Sequence, residues 1–153
     1  MYHLSMMRTF APTLESSDTA PREASLRAEP SGRSLFDEIS QIEAGYPFEA
    51  FELLSETLGV TQQQLASVLG ISRSTLSRRR GGRLNPLESN RLYQIRELLG
   101  AAERSIGDPD DARRWLRTPN AQLGRVPLEL AATTPGLEAV KRYFEQIADG
   151  VYL

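Results

Sequence analysis

The chain contains no cysteine, and its one histidine is His3. Without thiols there is no disulfide framework and no thiolate metal site, and a cysteine–histidine catalytic pair is unavailable. No nucleophile, base and orienting group converge in the sequence, so the chain reads as a non-enzyme with neither metal site nor cofactor. Long apolar runs are missing as well. Nothing approaches the roughly 20 apolar residues of a membrane span, and the opening MYHLSMMRTF lacks the apolar centre of a secretion signal. The expected setting is the cytoplasm, with no membrane partner. Lysine is nearly absent too, since Lys141 is the single lysine among 18 basic residues. What remains is 153 residues with 40% hydrophobic content, enough for one domain or two small ones.

A net charge of −2 argues against indiscriminate binding to nucleic acid, but the charge is segregated. Asp37, Glu38, Glu43, Glu49, Glu52 and Glu56 come first, and from Arg73 to Arg83 no acid intervenes. Local field outranks net charge for recognition. The cationic run closes the stretch TQQQLASVLGISRSTLSRRR, Thr61 to Arg80, which reads as a helix-turn-helix. Thr61 caps a first helix with Gln64 completing a capping box, and Leu65, Ala66 and Leu69 mark its buried stripe. Gly70 ends that helix, Ile71 turns inward to pin the corner, and Ser72 caps a second helix. The second helix has one apolar residue, Leu76, so one row faces the core and the rest is left to solvent. Arg73, Ser74, Thr75, Ser77 and Arg78 suit base edges in a major groove. Arg79, Arg80 and Arg83 suit phosphates, with Gly81 and Gly82 allowing close approach. A solvated arginine face is the ordinary alternative for such a run. The coincidence of the run with the Ala66, Gly70, Ile71, Leu76 spacing favours DNA.

Around this motif the pattern is helical throughout. Residues 1–33 are rich in Ser, Pro, Ala and Glu without apolar periodicity and read as a flexible arm. Ser34 caps a helix bearing Leu35, Phe36, Ile39 and Ile42, and Gly45 stops it. Another begins at Pro47 and carries Phe48, Phe51, Leu54 and Leu58 at helical spacing up to Gly59. After the arginines, Asn85, Pro86 and Glu88 give a strong start signal for a long helix with Leu92, Ile95, Leu99, Ala102 and Ile106 on one face. Asp108 and Pro109 open the next helix, with Asp110 and Asp111 at its positive end rather than at a metal. Trp115 reads as the anchor of a small core. The last helix opens at Pro135 and bears Leu137, Val140, Phe144, Ile147 and Ala148, with Gly150 placed to end it. Val151, Tyr152 and Leu153 come after it. In water these three forfeit roughly 1.5 to 3 kcal/mol for each large side chain left unburied. On physics alone they pack back on their own domain or against a partner, and both readings stand.

The order Trp115-Leu116, Pro119-Asn120, Leu123-Gly124, Pro127-Leu128-Glu129-Leu130, Thr133 or Thr134, Gly136, Val140 and Gly150 resembles the C-terminal toxin-binding domain of the Xre/MbcA/ParS antitoxins. The helix-turn-helix ahead of it resembles the Xre-type module. Arg125 departs from that pattern, standing where a second glycine is usual. The resemblance covers about residues 47–153, and the arm inherits nothing from it. Taken with the helical pattern, the expected fold is all-α in three parts: an arm over 1–33, a helix-turn-helix domain with its linking helix over 34–106, and a toxin-binding domain over 107–153. The resemblance also implies neutralisation of a RES-type, NAD-consuming toxin and repression of the protein's own operon. In such domains the last helix and the C-terminal residues are directed at the toxin's NAD cleft. That implies Tyr152 as anchor with Gly150, Val151 and Leu153, a terminal carboxylate paired with an arginine of the toxin, and Lys141, Arg142 and Tyr143 at the rim. Half-sites about 34 Å apart suit a homodimer within a toxin–antitoxin hetero-oligomer. The alternative function is a plain helix-turn-helix regulator without a toxin.

Overall fold

Local sequence chemistry sets the helix ends over residues 34–150, the part of the chain that the computed structural model describes. Eight helices succeed one another there: α1 Leu35–Ala44, α2 Phe48–Leu58, α3 Gln62–Leu69, α4 Arg73–Arg79, α5 Pro86–Ile106, α6 Pro109–Arg117, α7 Pro127–Leu130 and α8 Thr134–Ala148. The all-α expectation holds. Among the described residues there is no strand, only isolated bridges between Pro47 and Arg83 and between Asn120 and Arg125. The arm expected over 1–33 lies outside the described residues, as do Val151, Tyr152 and Leu153.

Six of the eight starts have a side-chain cap, while α2 follows Pro47 and α7 follows Val126 without one. Ser34, Thr61 and Asn85 form reciprocal capping boxes with Asp37, Gln64 and Glu88, and Ser72, Asp108 and Thr133 accept from amides of their first turns. α7 has no counterpart among the expected helices, because a helix of 4 residues is too short to display a period. Arg125 fits its place without strain. In the Asn120–Arg125 turn Gly124 alone has positive φ, at 73°, and the Asn120 side chain accepts from the amides of Gln122 and Leu123.

Packing then joins the helices through α5. Its 21 residues span about 30 Å at 1.5 Å per residue, and Leu92, Ile95, Leu98, Leu99 and Ala102 are buried along it. Phe51, Leu54 and Leu58 of α2, with Leu65, Ala66 and Leu69 of α3, belong to the same core as Ala112 and Leu116 of α6 and Leu137, Val140 and Phe144 of α8. Ile106 is only partly buried. Two arginines tie distant segments together through backbone carbonyls: Arg91 Nη1 donates to the Ala132 carbonyl at 3.0 Å and Arg117 Nη1 to the Gly59 carbonyl at 3.2 Å. Gly136 marks the tightest approach. A Cβ there would lie 1.8 Å from the Leu130 carbonyl oxygen, so no other residue fits without moving α7 from α8.

α1 is held differently from the rest. None of its residues is fully buried, and Leu35 and Phe36 are 68% and 76% exposed. Partly buried Ile42 packs against the core, and polar chemistry adds a second anchor. Glu38 accepts from the Tyr46 hydroxyl and from Arg96 of α5, whose guanidinium lies 5.5 Å from the Tyr46 ring centroid and 5.4 Å from that of Tyr93. Burial, and then the hydrogen bond to Glu38, pushes the Tyr46 phenol well above its ordinary range, so it remains a donor at any physiological pH. The buried Ser89 hydroxyl accepts from the Tyr46 amide at 2.9 Å and completes the junction.

Candidate nucleic-acid interface and toxin-binding surface

α3 and α4 meet as the sequence predicts. Gly70 adopts φ 71°, in the left-handed region, and the Ile71 amide bonds the Ala66 carbonyl at 2.8 Å while the Ile71 side chain is buried. Leu76 is the single buried residue of α4. Ser74 and Arg78, two residues before and after it on a helix turning about 100° per residue, lie on the opposite side. Both are exposed, as are Arg73 and Ser77, whereas Thr75 is partly buried. Thr75 has an internal role: its hydroxyl accepts from Ser72 Oγ and from Arg78 Nη2, each at 3.0 Å. That contact leans Arg78 along the exposed face.

The arginines assigned to phosphates separate into two kinds. Arg80 is exposed and, among the described residues, makes no ion pair or hydrogen bond through its side chain. Arg79 is committed elsewhere, with Nε 3.0 Å from Glu88 Oε2 and Nη2 3.1 Å from Oε1. Arg83 Nη1 donates to the Gly45 carbonyl at 2.6 Å. Sequence reasoning missed the first contact because Glu88 looked like a helix cap and nothing more, and the second because Gly45 is 38 residues from Arg83. Glu88 is that cap as well, since Oε2 accepts from the Asn85 amide at 2.9 Å.

The expected rim residues are on α8 and just after it. Lys141 is partly buried and 3.6 Å from Glu138, Arg142 is exposed, and Gly150 comes after the helix with φ 72°. Tyr143 is more than a rim residue. Its ring stacks on Trp115 with centroids 5.1 Å apart, and Trp115 tilts against Phe144 at 4.9 Å. Trp115 packs against the core, as expected of an anchor, but is only partly buried, and it also lines a surface cavity of about 250 Å³ with Asp111, Arg114, Thr118, Pro119 and Asn120. The apolar stripe of α8 leaves the core in the same region. Val140 and Phe144 are buried, Ile147 is 40% exposed, and Val151 to Leu153 lie outside the described residues. Among the described residues no group of three or more His, Cys, Asp and Glu is arranged to hold a metal, and no helix is long and apolar enough to cross a membrane.

Because Trp115 keeps one open side, Trp115→Ala is expected to cost about 2 to 3 kcal/mol, below the roughly 3 to 5 typical of a fully buried aromatic. Denaturant titration measures it, and an unfolded variant would show the residue to be indispensable to the core after all.

The geometry thus offers a polar helix presented to solvent on α4 and an aromatic, partly apolar surface on α6 and α8. Residues 37–97 match the Antitoxin Xre-like helix-turn-helix domain, and residues 101–150 match the Antitoxin Xre/MbcA/ParS C-terminal toxin-binding domain. Over 108 residues the chain is 32% identical to the probable mycobacterial cidal antitoxin of Mycobacterium tuberculosis, covering 69% of this chain and 92% of that relative. The chain belongs to the Xre/MbcA/ParS antitoxin family. It is an antitoxin of a toxin–antitoxin system, with a helix-turn-helix and a toxin-binding domain. The two matches in this antitoxin meet inside α5, at residues 97 and 101, so a single helix serves both. The antitoxin's Trp115 cavity and its α6–α8 aromatic stack fall wholly within the toxin-binding match.

Proposed function

We propose that the antitoxin sterically blocks a RES-type, NAD-consuming toxin and represses its own operon by helix-turn-helix binding. The observation that carries the first half is the α8 stripe, which runs from buried Val140 and Phe144 to exposed Ile147 and is continued in the sequence by apolar Val151, Tyr152 and Leu153. Tyr152 brings an aromatic body and one oriented hydroxyl, which suit a cleft made for a nucleotide. Lys141, Arg142, Tyr143 and Gly150 border that approach, and the open side of Trp115 extends it.

Operator binding rests on α4. Ser74 and Arg78 face bases, with Arg73, Thr75 and Ser77 beside them, and Arg80 meets a phosphate. Arg79 and Arg83 support the protein instead. A homodimer places two such helices on half-sites about 34 Å apart. In domain terms, residues 34–106 form the reading half and 107–153 the toxin-binding half, built on a shared α5.

A regulator without a toxin has one observation in its favour, the cavity beside Trp115. At about 250 Å³ and open to solvent, it falls below the roughly 300 to 1,000 Å³ of small-molecule pockets. Expression of the adjacent reading frame decides between the two. The proposal expects that product to arrest growth and deplete NAD when made alone, and to be harmless and co-purify when made with this chain. A harmless neighbour that does not bind would leave the regulator.

A further inference from the structure

An acidic residue beside a DNA-reading helix is a liability unless it does something that outweighs its repulsion of phosphate. Glu88 is such a residue. Its side chain is 11% exposed, and both of its carboxylate oxygens are used: Oε1 and Oε2 accept the Arg79 fork at 3.1 and 3.0 Å, and Oε2 also accepts the Asn85 amide. Arg79 is the last residue of α4, and Glu88 is in the first turn of α5, whose next turns are buried in the core. The pair therefore ties the free end of the reading helix to the most deeply anchored helix among the described residues. The loop between them is pinned independently, with the Phe48 amide on the Gly82 carbonyl at 3.0 Å and the Leu84 amide on the Tyr46 carbonyl at 2.9 Å. A seven-residue helix with one buried side chain has little else to set its orientation.

We infer that Glu88 is a positioning residue for DNA reading, holding Arg79 as a strut so that Ser74, Ser77 and Arg78 meet base edges at a defined angle. This rests on the proposal that α4 reads an operator. It makes a prediction of opposite sign to simple electrostatics. Removing a carboxylate from a cationic surface, and freeing Arg79 for a phosphate, should by charge alone tighten every duplex and steepen the salt dependence by about one counterion. Loss of a strut should instead weaken only the duplex whose bases are read.

The test uses the full chain with Glu88→Gln, a change that keeps an acceptor for the Asn85 amide because glutamine also completes a capping box. Binding is measured across a salt series to the duplex upstream of the chain's own reading frame and to a random duplex of equal length. The expected result is about a tenfold loss on the upstream duplex with no loss on the random one. Equal tightening of both, or no change in either, overturns the inference. Arg79→Gln leaves the cap untouched and serves if the first variant is poorly folded. As a strut it lowers upstream affinity with the salt slope unchanged, whereas a slope reduced by about one on both duplexes would make Arg79 a phosphate contact and overturn the inference. Should the unsubstituted chain fail to prefer the upstream duplex, the operator reading itself fails and this inference with it. A preference kept by the unsubstituted chain and by both variants removes the inference alone.

Discussion

Replacing Arg78 and Arg80 together by alanine is expected to abolish retention of operator DNA at about 0.15 M salt while leaving toxin neutralisation intact. The two losses have different physical origins. Arg78 lies opposite the buried Leu76 on the exposed face of α4, where a bidentate contact to a base is worth about 1 to 3 kcal/mol, or roughly ten- to a hundredfold in affinity. Its loss should be confined to the operator. Arg80 has no partner among the described residues and acts as a point of positive charge, so its loss should weaken all duplexes alike and flatten the salt dependence by about one counterion. Mobility-shift titrations of the single and double variants against operator and random duplexes separate these contributions. Neither side chain supports the core, so melting temperatures should stay within a degree or two. Undiminished operator binding by the double variant would mean that α4 is not the reader.

Deletion of Val151 to Leu153 is expected to have the reverse effect, preserving DNA binding and eliminating protection from the toxin. Burying a large side chain against a partner contributes roughly 1.5 to 3 kcal/mol before the cost of ordering it, so the loss of three should lower affinity by on the order of a hundredfold or more. α8 has anchors of its own. Its anchoring residues Leu137, Val140 and Phe144 are buried upstream, and Thr133 caps the other end. A growth assay with the co-expressed toxin, together with a melting curve for the shortened chain, reads protection and folding separately. Full protection by a normally folded, shortened chain would transfer inhibition to the Trp115–Tyr143 surface and dismiss the tail from it.

Much of this molecule is written locally. Thr61 with Gln64, Asn85 with Glu88, Ser72 and Asp108 announce helix starts because a side chain three residues away from an amide is within reach whatever the rest of the chain does. Gly70 and Ile71 announce the corner between α3 and α4 for the same reason, and Leu65, Leu92 and Val140 reveal buried faces through a period of 3.6. α1 shows how far that period can be trusted. Leu35, Phe36, Ile39 and Ile42 recur at helical spacing and do lie on a helix, yet of the four only Ile42 packs against the core, and the contacts of Glu38 with Tyr46 and Arg96 hold the helix beside it.

The arginines mark the boundary of what a linear chain can disclose. From residue order alone, Arg78, Arg79 and Arg80 are alike, and their charge and spacing point to nucleic acid; residue order was likewise enough for the longer helices, their caps, the reading motif and the family pattern. The folded arrangement was needed to distinguish Arg79, paired with Glu88, and Arg83, bonded to Gly45, from the exposed Arg80. It was needed as well to leave Trp115 half open beside Tyr143. The reason is range: a cap or a period acts within one helix, whereas the Arg79–Glu88 pair joins two helices across a loop, and the Arg83–Gly45 bond and the Trp115–Tyr143 stack join residues far apart in the chain.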